Sequence, residues 1–386
     1  NVDINGDGAL SVEERDNHPI ISVANRGITT LKGIEYFPNL KNLSCSKNPL
    51  DKLDVSALTE LTSLTCMADG LSELNLYENN KLQRLNCANN QLTSLVLLAD
   101  SLTKVDCYVN KLETLDLTSV PNLKSLRCDQ NSLKSLDLSN NQSLTSINCT
   151  YNNLTSLDLS KNTSLANVTN AMIGNQSVSL KANFDGNMIV IPFENSNLDN
   201  DNYVSSTLDD YGDGSGFNFA SFIAYDVSEI DGGIEYYCNT KLAGSENMKV
   251  SVTVSRDFHQ VSFYADSENT SLIGRAFAND GQSVTAPEIK NPPQCKVLDT
   301  WSDTLDNVTG DKSIYANWKD AHSYSLSSFS NDTATVKCSA CGDTFTLSFI
   351  NAVNSKKGDE KYSPYLDVTK DGVINAKDYA LLNKMK

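Results

Sequence analysis

Six cysteines recur at intervals of 21, 21, 20, 21 and 21 residues, at Cys45, Cys66, Cys87, Cys107, Cys128 and Cys149. A disulfide framework has no reason to keep such a beat, whereas a solenoid, in which each coil repeats the last, requires it. Aligned on the cysteines, the chain reads L-x-x-L-x-C-x-x-N-x-L-x-x-L-x-L. The unit runs from Leu40 to Val55, Leu61 to Leu76, Leu82 to Leu97, Leu102 to Leu117, Leu123 to Leu138 and Leu144 to Leu159, and a decaying seventh copy begins at Leu165. Each copy holds two apolar segments that alternate with period two, which turns Leu and Cys to one side. A single coil cannot bury that side; stacked coils can.

Three residues after the cysteines stand Asn48, Asn90, Asn110, Asn131 and Asn152, with Asp69 in the second copy. An inward amide at this point satisfies backbone groups left open where the chain turns. Strands in such a stack lie about 4.8 Å apart with their cysteines pointing the same way, which suits neither the reach nor the direction of a disulfide. The six are therefore expected to be buried free thiols acting as small hydrophobes. The pattern, spanning 20–169, resembles the short cysteine-bearing leucine-rich repeats of bacteria. Solvent-facing positions beside the cysteines carry Asn86, Asp106, Arg127, Met67, Tyr108 and Asp129. Tyr108, Arg127, Asp129 and Tyr151 fall on consecutive coils and form a candidate ligand patch, since Tyr and Arg often anchor interfaces. The plainer reading of these positions is a polar sheet surface.

Both ends of the chain carry a calcium-loop pattern. At residues 3–14, Asp3, Asn5, Asp7, Ala9 (through its carbonyl), Ser11 and Glu14 occupy loop positions 1, 3, 5, 7, 9 and 12, with Gly8 at position 6 for the sharp turn. With the following segment this resembles the helical cap of internalin-like proteins, here assigned to 1–19, and a structural role is expected of it. At 367–378 the same places are held by Asp367, Thr369, Asp371, Val373, Asn375 and Asp378, with Gly372 at position 6. This segment resembles one half of a dockerin, which attaches its owner to a cohesin; the resemblance assigns partner choice to Ala376 and Lys377. A dockerin has two loops, and 345–366 supplies no first one, so an intramolecular calcium staple is the other reading. Calcium is the one cofactor expected.

Between these lie two further stretches. Residues 170–257 alternate in short segments such as Val178–Ala182 and Met248–Val254, broken by turn-rich sequence like Asp209–Gly214, and read as a small antiparallel β-sandwich of immunoglobulin style. Residues 258–319, with N-V-T-G-D at 307–311 and Y-A-N-W at 315–318, resemble the internalin B-repeat, a β-grasp-like spacer. Residues 320–386 hold a C-x-x-C turn at Cys338 and Cys341 before the dockerin-like segment. A zinc site needs four ligands, and His322 with Cys295 or Cys238 would have to complete it from a distance. A disulfide or two free thiols is the expectation there.

The fold class is thus mainly β: a leucine-rich-repeat solenoid, then sandwich and β-grasp-like modules, with short helical calcium-loop segments at both ends. The formal charge of −17 argues against a nucleic-acid partner, which calls for a basic face. No run approaches the roughly eighteen apolar residues of a membrane span. The chain opens inside the calcium-loop pattern, which reads as a processed start, so export is inferred from the domains. His18, His259 and His322 are isolated in sequence, and no H-E-x-x-H, G-x-S-x-G or phosphate loop is present. The sum points to a monomeric, non-enzymatic, extracellular or surface-attached protein of secreted bacterial, internalin-like type. It would bind a protein or glycan on the solenoid face and a cohesin at its carboxyl end. A passive spacer is the alternative, and a glycan hydrolase with an unrecognised module is a remoter one.

Overall fold

The computed structural model describes residues 4–50, 52–165, 171–192, 203–211, 215–218, 221–243 and 246–385. It divides into two units, 1–257 and 258–386. Among the described residues, no helix is long and apolar enough to cross a membrane.

The first unit opens on helix α1 (Val12–Asp16) and the solenoid. Its strands are β1 (Ile20–Ser22), β2 (Asn42–Ser44), β3 (Ser63–Thr65), β4 (Arg84–Asn86), β5 (Lys104–Asp106), β6 (Ser125–Arg127), β7 (Ser146–Asn148) and β8 (Ala171–Met172). They form one parallel sheet in sequence order, each strand paired in register with its equivalent in the next coil. In β2–β7 the middle residue points inward, as do the cysteines that follow, which are fully buried and unpaired as disulfides. Burial raises the thiols of Cys87 and Cys149 to about 12, so the ladder behaves as a column of apolar packing.

The amide column ties the coils together. Asn90 donates from Nδ2 to the carbonyls of Cys66 and Cys87, at 2.8 and 2.9 Å. Its Oδ1 accepts the backbone N–H of Asp69 and Leu71 from the coil before. Asn110, Asn131 and Asn152 repeat the arrangement one coil further each time. Gln176 takes the place of the asparagine after the last strand, bonding the carbonyls of Cys149 and Ile173 at 2.9 Å. A second column, not marked by the repeat unit, consists of Asn79, Asn141 and Asn162, whose Nδ2 atoms donate to turn carbonyls such as Val55, Val120 and Leu138. Two residues after each cysteine, Lys47, Ala68, Asn89, Val109, Gln130 and Tyr151 adopt φ of 53° to 60°. That left-handed turn costs on the order of 1 kcal/mol for each non-glycine residue, and the amide column over-determines it.

Beyond the solenoid, β9 (Gln176–Lys181), β10 (Asn183–Asp185), β11 (Met188–Pro192), β12 (Tyr203–Ser206), β13 (Gly216–Asn218), β14 (Ser221–Ala224), β15 (Ile234–Cys238) and β16 (Met248–Ser255) build two four-stranded sheets. Their orders are β10-β11-β14-β13 and β12-β15-β16-β9. Phe222 of one meets Tyr236 of the other at 5.4 Å between ring centroids. The expected antiparallel pairing fails at one place: β9 joins β16 in parallel, because it arrives straight from the last solenoid coil. The same sheet closes the end of the solenoid, with Tyr236 Oη donating to the Thr155 carbonyl at 2.6 Å and Leu159 N–H to Thr240 at 2.8 Å.

In the second unit, β17 (Phe258–Tyr264), β18 (Leu272–Asn279), β19 (Lys296–Trp301) and β20 (Lys312–Asp320) form a sheet of order β18-β17-β20-β19, with β17 and β20 parallel. Its core gathers Val261, Phe263, Val308 and Ile314 against Trp301. A three-stranded antiparallel sheet follows, β21 (Tyr324–Ser330), β22 (Thr333–Cys338) and β23 (Thr344–Ser348). It packs with helices α2 (Phe349–Ala352) and α3 (Ala376–Leu382) through Phe329, Phe349, Ile374 and Leu382.

Asp69 is the exception in the amide column. It has no N–H to offer the turn carbonyls, and its Oδ2 takes the Cys45 thiol at 3.5 Å instead. Burial raises its carboxyl above the ordinary value. A raised folded pKa means that stability is lost as pH climbs past the unfolded value, because the unfolded chain ionises more readily. Asp69→Asn should therefore stabilise the protein by about 1–3 kcal/mol at pH 7, and by less at pH 4. Thermal melts at both values check this; an unchanged or lower melting temperature at pH 7 contradicts it.

Candidate functional site

The outward residues of β5 and β6 form a connected group. Register sets Asp106 beside Arg127. The Arg127 guanidinium lies 4.1 Å from the centre of the Tyr108 ring, and its Nε is 3.6 Å from Asp129 Oδ1. Tyr108 reaches across the intervening coil to bring its hydroxyl 3.6 Å from Met67 Sδ, while Ala88 in that coil is fully buried. Lys104 pairs with Asp106 at 3.1 Å. Asp106 and Asp129 are only 7% and 4% exposed, and one carboxylate oxygen of each has no hydrogen-bond partner. Asp129 is thus a buried support for Arg127, not the solvent-facing contact its sequence position suggests, because Arg127 and the Gln130 amide close over it. Tyr151 is 59% exposed but stands on the left-handed turn after β7, one residue beyond the strand-face rows. The structure therefore joins Tyr108, Arg127 and Asp129 and sets Tyr151 at their margin.

Of the amino-terminal loop, Asp3 lies outside the described residues. Gly8 has φ 83°, the left-handed turn expected at position 6. Glu14 is buried, and its carboxylate accepts the N–H groups of Ser11, Ile4 and Asn5, led by Ser11, which hold it at about 2. Asn5 and Asp7 bond each other at 2.9 Å, and Asp7 accepts the Ala9 N–H. Ser11 caps α1 in a capping box with Glu14.

In the carboxyl-terminal loop, Asp367, Asp371 and Asp378 bring carboxylate oxygens within 4.8 Å of one another. Asp367 and Asp378 are buried. Thr369 Oγ1 donates to Asp378 at 2.8 Å, and Gly372, at φ 81°, gives its N–H to Asp367 at 2.9 Å. The Tyr362 hydroxyl, at 2.6 Å, leads the groups that lower the Asp367 carboxyl. Asn375 and Asp378 repeat the capping box at the start of α3. Three converging carboxylates and a left-handed glycine fit a hard divalent cation; Asp367, Thr369, Asp371, Val373 (carbonyl), Asn375 and Asp378 would hold it, and the ion would neutralise their repulsion. Val373 and Ile374 pair with 354–356, through Asn354 N–H to Ile374 O at 2.7 Å and Ile374 N–H to Ser355 O at 3.0 Å. Ala376 and Lys377 are exposed on the first turn of α3.

Sequence spacing undervalued the C-x-x-C turn. Cys338 and Cys341 are free thiols that meet Cys295 and His322, whereas Cys238 is buried in the other unit. Only Cys338 and Cys341 are close in sequence, so no short motif marks the group.

The strand register, the thiol column and the amide column define a leucine-rich-repeat solenoid. No family profile matches the chain, and no curated protein does. Among solved structures, it is similar to the functional domain of InlJ from Listeria monocytogenes, described as including a cysteine ladder, at 18% identity over 64% of this chain and 83% of that one, with a TM-score of 0.27. For InlP from the same organism the figures are 19%, 61%, 70% and 0.37. For the leucine-rich-repeat domain of APL1B they are 16%, 43%, 65% and 0.32.

Calcium should order residues 367–378 and stabilise the second unit by mass action, about 2.7 kcal/mol at a hundredfold excess over Kd. Amide exchange of the full chain in calcium and in chelator measures this. Asp371→Ala, exposed and outside the core, should abolish the protection; equal exchange in both conditions for the parent chain removes the assignment.

Proposed function

We propose that this chain is a non-enzymatic extracellular binding protein that offers its solenoid sheet face, centred on Tyr108 and Arg127, to a protein or glycan. The observation that carries this reading is the fixed guanidinium. Stacked on Tyr108 and paired with buried Asp129, Arg127 is ordered before a ligand arrives. Less side-chain entropy is then lost on binding, and Tyr and Arg are the residue types that dominate interface energetics. The strands on either side present polar groups, Arg84 and Asn86 on β4 and Ser146 and Asn148 on β7, a rim that hydrogen-bonding ligands suit.

The remaining modules support presentation of this face. Two facing sheets in 171–257 agree with an immunoglobulin-like module. The order β18-β17-β20-β19 with a parallel central pair agrees with a β-grasp-like spacer of internalin B-repeat type. Calcium loops at both ends suit a calcium-rich exterior, at the cell surface or free of it. For the carboxyl end we assign attachment to a cohesin-type partner through the exposed Ala376 and Lys377. One observation favours a second reading: Ile374 and Leu382 are buried in the core of the β21–β23 sheet, as a calcium staple within the chain would require.

Arrays of glycans and extracellular proteins, probed with the full chain and with a Tyr108→Ala, Arg127→Ala double variant, test the first reading. Binding of the parent should fall about tenfold or more in the variant, measured well below the melting temperature of both proteins because Arg127→Ala leaves buried Asp129 without its partner. No ligand on either array, or equal binding by both proteins, would leave a passive spacer. A cohesin panel probed with Lys377→Glu separates docking from the internal staple, since only docking loses affinity.

A further inference from the structure

The second unit gathers four soft donors from three separate stretches of chain. Cys295 Sγ lies 3.4 Å from Cys338 Sγ, and Cys341 Sγ lies 3.3 Å from His322 Nδ1. All four donor atoms fall within 4.8 Å of one another. Four-coordinate zinc, with bonds of about 2.3 Å to sulfur and 2.0–2.1 Å to nitrogen, sets neighbouring ligand atoms roughly 3.5–3.8 Å apart. The group is thus close to the span of a tetrahedral shell. A disulfide would use two of the sulfurs and leave a thiol and an imidazole with nothing to do.

The surroundings hold the donors in place. Around Cys338 the chain makes a tight turn: Gly342 N–H bonds the Cys338 carbonyl at 3.0 Å, Gly342 has φ 79°, and the N–H groups of Cys341 and Ala340 point to Cys338 Sγ. Such amide donors stabilise a thiolate without competing for its metal-facing lone pairs. His322 is stacked on Tyr324, with ring centroids 5.0 Å apart. Its Nδ1 is turned to Cys341, and its Nε2 lies 3.9 Å from Asp320 Oδ1, the side on which a zinc-bound imidazole usually finds a carboxylate. Cys295 adopts φ 58°, a left-handed backbone that L residues take up at a cost, as at ligand clamps. Two contacts hold it there: Ala321 N–H donates to the Cys295 carbonyl at 2.8 Å, and the Gln294 amide bonds Ala340 O.

We propose that Cys295, His322, Cys338 and Cys341 form a structural zinc site that clips the segment before β19 to the β21–β23 sheet. Four protein ligands close the shell, so the ion is structural and not catalytic, and three sulfurs with one imidazole select zinc over calcium or magnesium. The site is independent of the recognition-face reading and of the calcium loops.

Metal analysis of the full chain, purified in calcium and a thiol reductant and exchanged into metal-free buffer, should find about one zinc per chain. Replacing the ion with cobalt(II) should give the visible ligand-field bands of a tetrahedral thiolate site. Cys295→Ser and Cys338→Ser should each lose the zinc, Cys238→Ser should keep it, and His322→Cys, which restores a fourth donor, should keep it as well. Because the metal content and the cobalt spectrum are read on the parent chain, a variant that fails to fold does not blunt the test. A parent chain with no zinc, an octahedral cobalt spectrum, a disulfide between Cys338 and Cys341 that persists in reductant, or full zinc retention by Cys295→Ser would each overturn the proposal.

Discussion

Where each coil leaves the sheet, its backbone turns away from the neighbours that would otherwise bond it, and buried carbonyls are exposed to one another. The asparagine amides close that gap. One Nδ2 serves the carbonyls of two successive cysteines, and one Oδ1 takes an N–H from the coil before. Losing such an amide would strand buried groups on two coils at once, each at about 1–3 kcal/mol. The column therefore adds a directional coupling between neighbours to their apolar stacking, and it fixes the turn that follows each cysteine. The exposed rows of Tyr108 and Arg127 owe their register to it, since they sit between a cysteine and its asparagine or directly before that cysteine.

Much of this was legible in the sequence because a solenoid repeats its chemistry. Cys107 and Asn110 recur with the coil, so one copy predicts the next. The second amide column was not legible, since Asn79, Asn141 and Asn162 share their place with Leu58, Ala99 and Val120, and apolar and amide side chains alternate there without a pattern. The role of Asp129 was hidden for another reason. Alternation predicts an outward side chain, but it cannot foresee that Arg127 bends back over it. The parallel entry of β9 beside β16 depends on where the solenoid ends, which local periodicity does not encode. The four-donor cluster joins positions 295, 322, 338 and 341, and only folding brings them together.

In the two loops that carry a calcium-binding sequence pattern, one residue serves two demands. Glu14 and Asp378 stand at the twelfth loop position and also at the third position of a helix, where each returns a hydrogen bond to the cap residue. The helix start thereby aims a carboxylate into the loop before any ion arrives. That economy caps helices of only five and seven residues. It also ties the order of the carboxyl-terminal loop to Leu382 and Ile374, which pack into the sheet beneath.

The seal over the last coil has a consequence for how copies of this protein meet. A parallel solenoid ends in a strand whose backbone edge and apolar interior both invite another coil, which is the geometry from which fibres grow. Here the Tyr236 hydroxyl, the Thr240 carbonyl and the Gln176 amide already take backbone groups of the last coil at Thr155, Leu159, Cys149 and Ile173. The following module thus takes up backbone groups of the last coil that a further coil would otherwise claim.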